Sequence, residues 1–86
     1  MKEAGAEIKR FLQNIVEAIV DTPEEVKISI LESETMVVVE LTAAQSDVGK
    51  VIGREGRMAL ALRVLVNALA TKLGKKALLQ IIENRG

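Results

Sequence analysis

The run Val51-Ile52-Gly53-Arg54-Glu55-Gly56-Arg57 sets two glycines in four positions between two segments of helical patterning, so one continuous helix is ruled out there. Before it, Ala44, Val48, Val51 and Ile52 share one face of a short helix. Thr42 with Gln45 fits a capping box for its start, and Ser46-Asp47 offers a start one turn later. After it, a helix from Arg57 carries Met58, Leu62, Leu65, Leu69 and Leu73 along one stripe. That helix stops at Gly74, a good C′ residue, with Lys72 supplying favourable charge at its end. The chain is thus committed to a helix, a short exposed tip and a second helix. Glycine lacks a Cβ, so it takes positive φ and lets another backbone come close. The second helix begins with free N–H groups and its positive dipole end pointing outward, and Lys50, Arg54 and Arg57 add charge near the same point. Together these features describe an anion site for a sugar-phosphate backbone.

Upstream, Ile8, Phe11, Leu12, Ile15, Val16, Ile19 and Val20 recur at steps of three and four, which predicts an amphipathic helix from Glu7 to Val20. Asp21-Thr22-Pro23 ends it. Val26 to Leu31 and Thr35 to Leu41 are β-branched and partly alternating, with Glu32-Ser33-Glu34 as the turn of a hairpin. In the second strand Val37, Val39 and Leu41 are the expected core set, and Glu40 faces outward. Ala77 to Ile82 reads as a last strand. The order is α-β-β-α-α-β, an α+β class. With 86 residues, 49% of them apolar, the expectation is one compact unit over residues 1–86.

Composition narrows the chemistry. Neither Cys nor His occurs, which excludes disulfides, a Cys/His zinc site, a catalytic thiol and a histidine base. Phe11 is the only aromatic, so bases cannot be recognised by stacking on a platform of rings. No stretch has the length of a membrane span or of a signal-peptide core, and a soluble, cytoplasmic protein is expected. The net charge of zero is unevenly spread: four basic residues oppose ten acidic ones from Met1 to Gly49, whereas seven basic residues face Glu55 alone from Lys50 to Lys76. The glycine spacing fits neither a P-loop nor a dinucleotide fingerprint. A helix-hairpin-helix DNA binder is a nearer rival, but it needs no strands. Glu55 beside Arg54 reads as a solvated loop pair, so no enzyme, metal or cofactor is expected.

The Val-Ile-Gly-x-x-Gly signature, between two helices bracketed by strands, resembles that of the KH domain. The helix and strand ahead of it, Glu7 to Leu31, match the N-terminal extension of the bacterial type II arrangement. The run Asp47 to Arg57 is similar to the pattern of the KhpA family of small bacterial RNA-binding proteins. The resemblance implies a type II KH fold, with a three-stranded mixed sheet backed by three helices, and about four single-stranded nucleotides held beside the loop. It implies that Gly53, Arg54, Glu55 and Gly56 clamp the RNA backbone and that Lys50 and Arg57 flank them. Val48, Val51, Ile52 and part of the Thr35 to Leu41 strand would form an aliphatic floor. An acidic Glu55 departs from the neutral or basic tips common in such loops and points to modest affinity.

The helix from Arg57 to Leu73 carries more apolar surface than one buried face requires, with Ala59, Ala61, Val64, Val66, Ala68 and Ala70 outside the main stripe. Arg63, Asn67 and Thr71 form its polar ridge. Val64 and Ala68, four residues apart, are expected at an interface, which makes a protein-interaction module with secondary RNA binding the competing reading. A symmetric homodimer is expected, and the resemblance adds a heteromer with the larger KH protein KhpB as the other arrangement.

Overall fold

The computed structural model describes residues 4–84. Lys2, Glu3 and Arg85, part of the charge distribution, lie outside them. Helix α1 spans Ala4–Ile19 and buries Ile8, Leu12 and Val16 completely, as the period of three and four demands. It starts a turn earlier than the apolar period indicates. Gly5 explains this: a Cβ there would lie 2.6 Å from Ile30 Cγ2 and 2.7 Å from Glu32 Oε1, so only glycine lets the first turn press against the neighbouring strand. Pro23 opens a single 3-10 turn, Pro23–Glu25, where its missing N–H costs nothing.

Strands β1 (Lys27–Glu32) and β2 (Met36–Ala44) form the expected hairpin, closed by Ser33 N–H donating to Met36 O at 2.8 Å. Val37, Val39 and Leu41 are fully buried and Glu40 is exposed, as expected from alternation. The strand runs on through Thr42, Ala43 and Ala44, so the Thr42/Gln45 capping box does not form. These residues pair instead with Ile82, Glu83 and Asn84 of β3 (Lys76–Asn84), and a ladder rung outweighs a local cap. A 3-10 turn, Gln45–Asp47, leads into α2 (Val48–Ile52), and the Gly53–Gly56 corner leads into α3 (Arg57–Lys72). The sheet has the order β1-β2-β3, antiparallel on one side of β2 and parallel on the other. Among the described residues, three α-helices back this mixed sheet, in the order α-β-β-α-α-β.

Helix α3 is rotated from the face that side-chain size predicts. It buries Ala59, Leu62, Val66 and Ala70, whereas Met58, Leu69 and Leu73 are half-buried and Leu65 is 44% exposed. Two alanines on the inner face let the helix sit close, which a row of leucines would prevent. The polar ridge also has a structural task. Asn67 Oδ1 accepts from Ala77 N–H at 3.2 Å, and Arg63 Nε donates to Leu79 O at 3.4 Å, so the ridge satisfies backbone groups along the free edge of β3. Gly74, at φ +80°, ends α3 as expected, with Gly74 N–H on Thr71 O and Lys75 N–H on Ala70 O in a Schellman pattern.

Glu32 ties three elements together at the opposite end from the corner. Its Oε2 accepts from Lys75 Nζ at 2.6 Å and its Oε1 from Gly5 N–H at 3.0 Å. The Lys75 hydrogen bond first, then the Gly5 N–H, hold this carboxyl below its ordinary pKa of 4.5. A depressed folded-state pKa stabilises the fold fully above the unfolded value and loses that contribution as pH falls through the folded value. Urea midpoints for the parent should therefore fall as pH drops below 4.5, and a Glu32→Gln variant, weaker at neutral pH, should converge with the parent in acid. Parallel pH profiles would remove Glu32 from the account.

Candidate functional site

The corner is built from backbone constraint. Gly53 sits at φ +79°, ψ 173°, a region closed to other residues, and a Cβ on it would lie 2.6 Å from Met58 Cβ and 2.8 Å from Met58 N. The tip is thereby folded tightly onto the first turn of α3. Gly56 follows at φ +74°, and Glu55 also adopts a left-handed conformation, φ 58°, ψ 25°. Three of the four corner residues thus have positive φ, although one carries a full side chain. That conformation costs a non-glycine residue about 1 kcal/mol.

The donors are distributed unevenly. Gly56 N–H donates to Gly53 O at 3.1 Å and Arg57 N–H to Arg54 O, so both are taken up inside the loop. The N–H groups of Arg54 and Glu55 at the tip have no acceptor among the described residues, nor does the Arg54 guanidinium. The other two cations are paired. Arg57 Nη2 lies 3.2 Å from Glu55 Oε1, and Lys50 Nζ lies 3.2 Å from Asp21 Oδ2. Glu55 therefore pairs with Arg57, two residues on, and not with its neighbour Arg54.

Ile52, Gly53, Arg54, Glu55, Gly56 and Arg57 follow one another around the corner, with Ile52 39% exposed and Val48 half-buried one turn before it, while the exposed Lys50 is turned to Asp21 at the end of α1. Val51 does not join them. Its side chain is fully buried in the core, so its contribution is to anchor α2. Helix α2 packs against β3, and Val51 shares the core cluster with Val37, Val39 and Leu41 of β2. Asp21 escaped sequence reasoning because nothing local links the end of α1 to a lysine on α2. On the far side of α3, Val64 is 60% exposed and Ala68 exposed, and Leu60, at 62%, and Leu65 extend the same apolar surface. Leu60 was legible from its spacing, one turn before Val64.

A helix-strand extension ahead of a β-α-α-β unit, with a parallel β2-β3 pair and a Gly-x-x-Gly corner between its helices, defines a type II KH domain. The family model for the KH domain of KhpA and KhpB matches residues 9–81, and the chain belongs to that family, which is not one of enzymes. It is 45% identical over 83 residues to the RNA-binding protein KhpA of Borreliella burgdorferi, covering 96% of this chain and 100% of that protein. The RNA-binding protein KhpA of Clostridium acetobutylicum is 40% identical over 75 residues, 87% of this chain and 100% of that one. For the protein of the same name in Aquifex aeolicus the identity is 37% over 76 residues, 88% of this chain and 96% of that protein.

The two corner glycines should separate by stability. Gly53→Ala combines a forbidden conformation with a clash on the α3 backbone and should cost about 3 kcal/mol. Gly56→Ala meets nothing within 4 Å and should cost only the left-handed penalty, about 1 kcal/mol. Denaturant unfolding of the two variants checks this, and equal losses would contradict the packing argument.

Proposed function

We propose that this chain acts as one KH unit that binds single-stranded RNA, with the phosphate backbone crossing Gly53-Arg54-Glu55-Gly56 and the bases lying along the aliphatic surface beside it. The observation that carries the reading is the tip, where two backbone N–H groups and the Arg54 guanidinium, none with an acceptor among the described residues, stand together at the junction of two helices. Lys50 and Arg57 flank it, and Ile52 and Val48 offer an apolar surface next to it. Recognition by backbone and aliphatic contact suits a chain whose only ring is Phe11. The relatives' name, RNA-binding protein KhpA, agrees with it. Binding without turnover fits a cytoplasmic post-transcriptional regulator or RNA chaperone.

A second reading is favoured by the outer face of α3. Leu60, Val64, Leu65 and Ala68 leave an apolar surface that a helix on a small domain does not need for its own core. It suits a symmetric homodimer, with a KhpB-type partner as the alternative occupant, and it is compatible with RNA held at the corner.

Replacing Arg54 and Glu55 together with aspartate should weaken single-stranded RNA binding about tenfold or more by exchanging the Arg54 cation for a carboxylate beside the one already at position 55, with the melting curve nearly unchanged. Aspartate tolerates the left-handed conformation of position 55, so the backbone should persist. Fluorescence anisotropy with a labelled RNA checks it, and undiminished binding would make the loop structural only. Val64→Asp would bury an unpaired charge in the dimer at a cost of roughly 3 kcal/mol or more. Light scattering should then report a folded monomer where the parent is a dimer, and a parent already monomeric at high concentration would refute the assembly.

A further inference from the structure

We infer that Asp21 sets the affinity of the corner for RNA by competing with phosphate for Lys50, and that the buried carboxylate of Asp47 is the positioning residue that holds Asp21 in place. The inference rests on the RNA-binding reading above and deepens it. Asp47 immediately precedes α2, where a side-chain cap would be expected, yet it makes no bond to its own helix. It is 1% exposed and turns the other way, accepting Asp21 N–H at 3.2 Å on one oxygen and Thr22 N–H at 2.9 Å on the other. A buried carboxylate satisfied by two backbone donors is a rigid anchor. It fastens the corner that ends α1 to the base of α2.

That fastening places the backbone of Asp21 beside α2. Its carboxylate lies 3.2 Å from Lys50 Nζ, and Lys50 is three residues from Asp47, close to one turn along the chain. The lysine is one of the two flanking cations of the corner, so the free protein already presents it with an anion. Both side chains remain accessible, at 45% for Lys50 and 76% for Asp21, so an incoming phosphate can exchange for the carboxylate without unpacking anything. An exposed pair of this kind is weak. It tunes affinity and does not block the site. RNA binding then includes a swap in which Lys50 leaves Asp21 for phosphate and the freed Asp21 carboxylate returns to water.

The swap makes a prediction that a general charge effect does not. Asp21→Asn keeps the shape and the backbone bonds to Asp47. It should tighten RNA binding about three- to fivefold at low salt, the scale of one exposed ion pair. It should leave the slope of log K against log salt nearly as in the parent, since that slope follows the number of phosphates neutralised and Lys50 still meets the same one. In a Lys50→Gln background, itself a weaker binder, the same substitution should give no gain. The four proteins are compared by anisotropy with one labelled single-stranded RNA across a salt series. A gain from Asp21→Asn that persists undiminished without Lys50 would overturn the inference, as would a variant that binds like its parent. A parent that binds no RNA would instead refute the RNA-binding reading, and this inference with it.

Discussion

Everything about the corner's position depends on the parallel pairing of β2 with β3. Nine successive residues of β2, from Met36 opposite Lys76 to Ala44 opposite Asn84, run alongside β3 in the same direction. Parallel neighbours cannot be joined by a tight turn, so the chain must travel from the end of one strand back to the start of the next. Nine residues at roughly 3.3 Å each make that return about 30 Å. Helix α3, with sixteen residues, supplies about 24 Å of it at about 1.5 Å per residue. What remains is a short passage beyond the C-terminal end of β2, and α2 with the Gly53–Gly56 corner fills it. The corner is therefore held at one end of the sheet by strand register, far from the Glu32–Lys75–Gly5 junction at the other end.

How much of this was legible in the residues follows a consistent physical line. Elements whose pattern reports directly on burial were readable: the α1 stripe of Ile8, Leu12 and Val16, the alternation of Val37, Val39 and Leu41, and the glycine stop at Gly74. Features decided by a distant partner were not. Thr42 and Gln45 carry a plausible cap, but the ladder with Ile82 to Asn84 claims Thr42 for the strand. Gly5 looks like a helix breaker until Ile30 and Glu32 are placed against it. At the candidate site, the two glycines and the three cations could be named from spacing alone. The pairing of Lys50 with Asp21 could not, because it arises from a fold contact made through Asp47.

Helix α3 shows why an excess of apolar residues is hard to interpret from sequence. Its three surfaces meet three different surroundings. The inner one uses Ala59 and Ala70 around Leu62 and Val66 to sit close to the core. The polar ridge of Arg63 and Asn67 covers the exposed edge of β3, a protection against strand-to-strand association. Only the third, Leu60 with Val64, Leu65 and Ala68, lacks a partner among the described residues. Size-based reading assigned Leu65 to the core and left Val66 outside it. The exchange follows from packing distance, since small side chains on the inner face move the buried arc toward them.

Charge at the corner is more nearly balanced than the segment totals suggest. Lys50 faces Asp21 and Arg57 faces Glu55, so two of the three cations already hold carboxylates, and Arg54 has no partner among the described residues. A surface of this kind gives weak long-range steering, because paired charges cancel beyond about a Debye length of 10 Å. On the proposed reading, discrimination would come from contacts made at close range, by the N–H groups of Arg54 and Glu55, which have no acceptor among the described residues, and by the bare backbone at Gly53. Glu55 fits this account despite its sign. Its left-handed conformation is maintained at a cost of about 1 kcal/mol because the tip must turn there, and its carboxylate pairs with Arg57. On the proposed reading, a corner whose geometry is fixed and whose charge is held in exchangeable pairs would bind RNA by fit first, with its ion pairs setting how tightly.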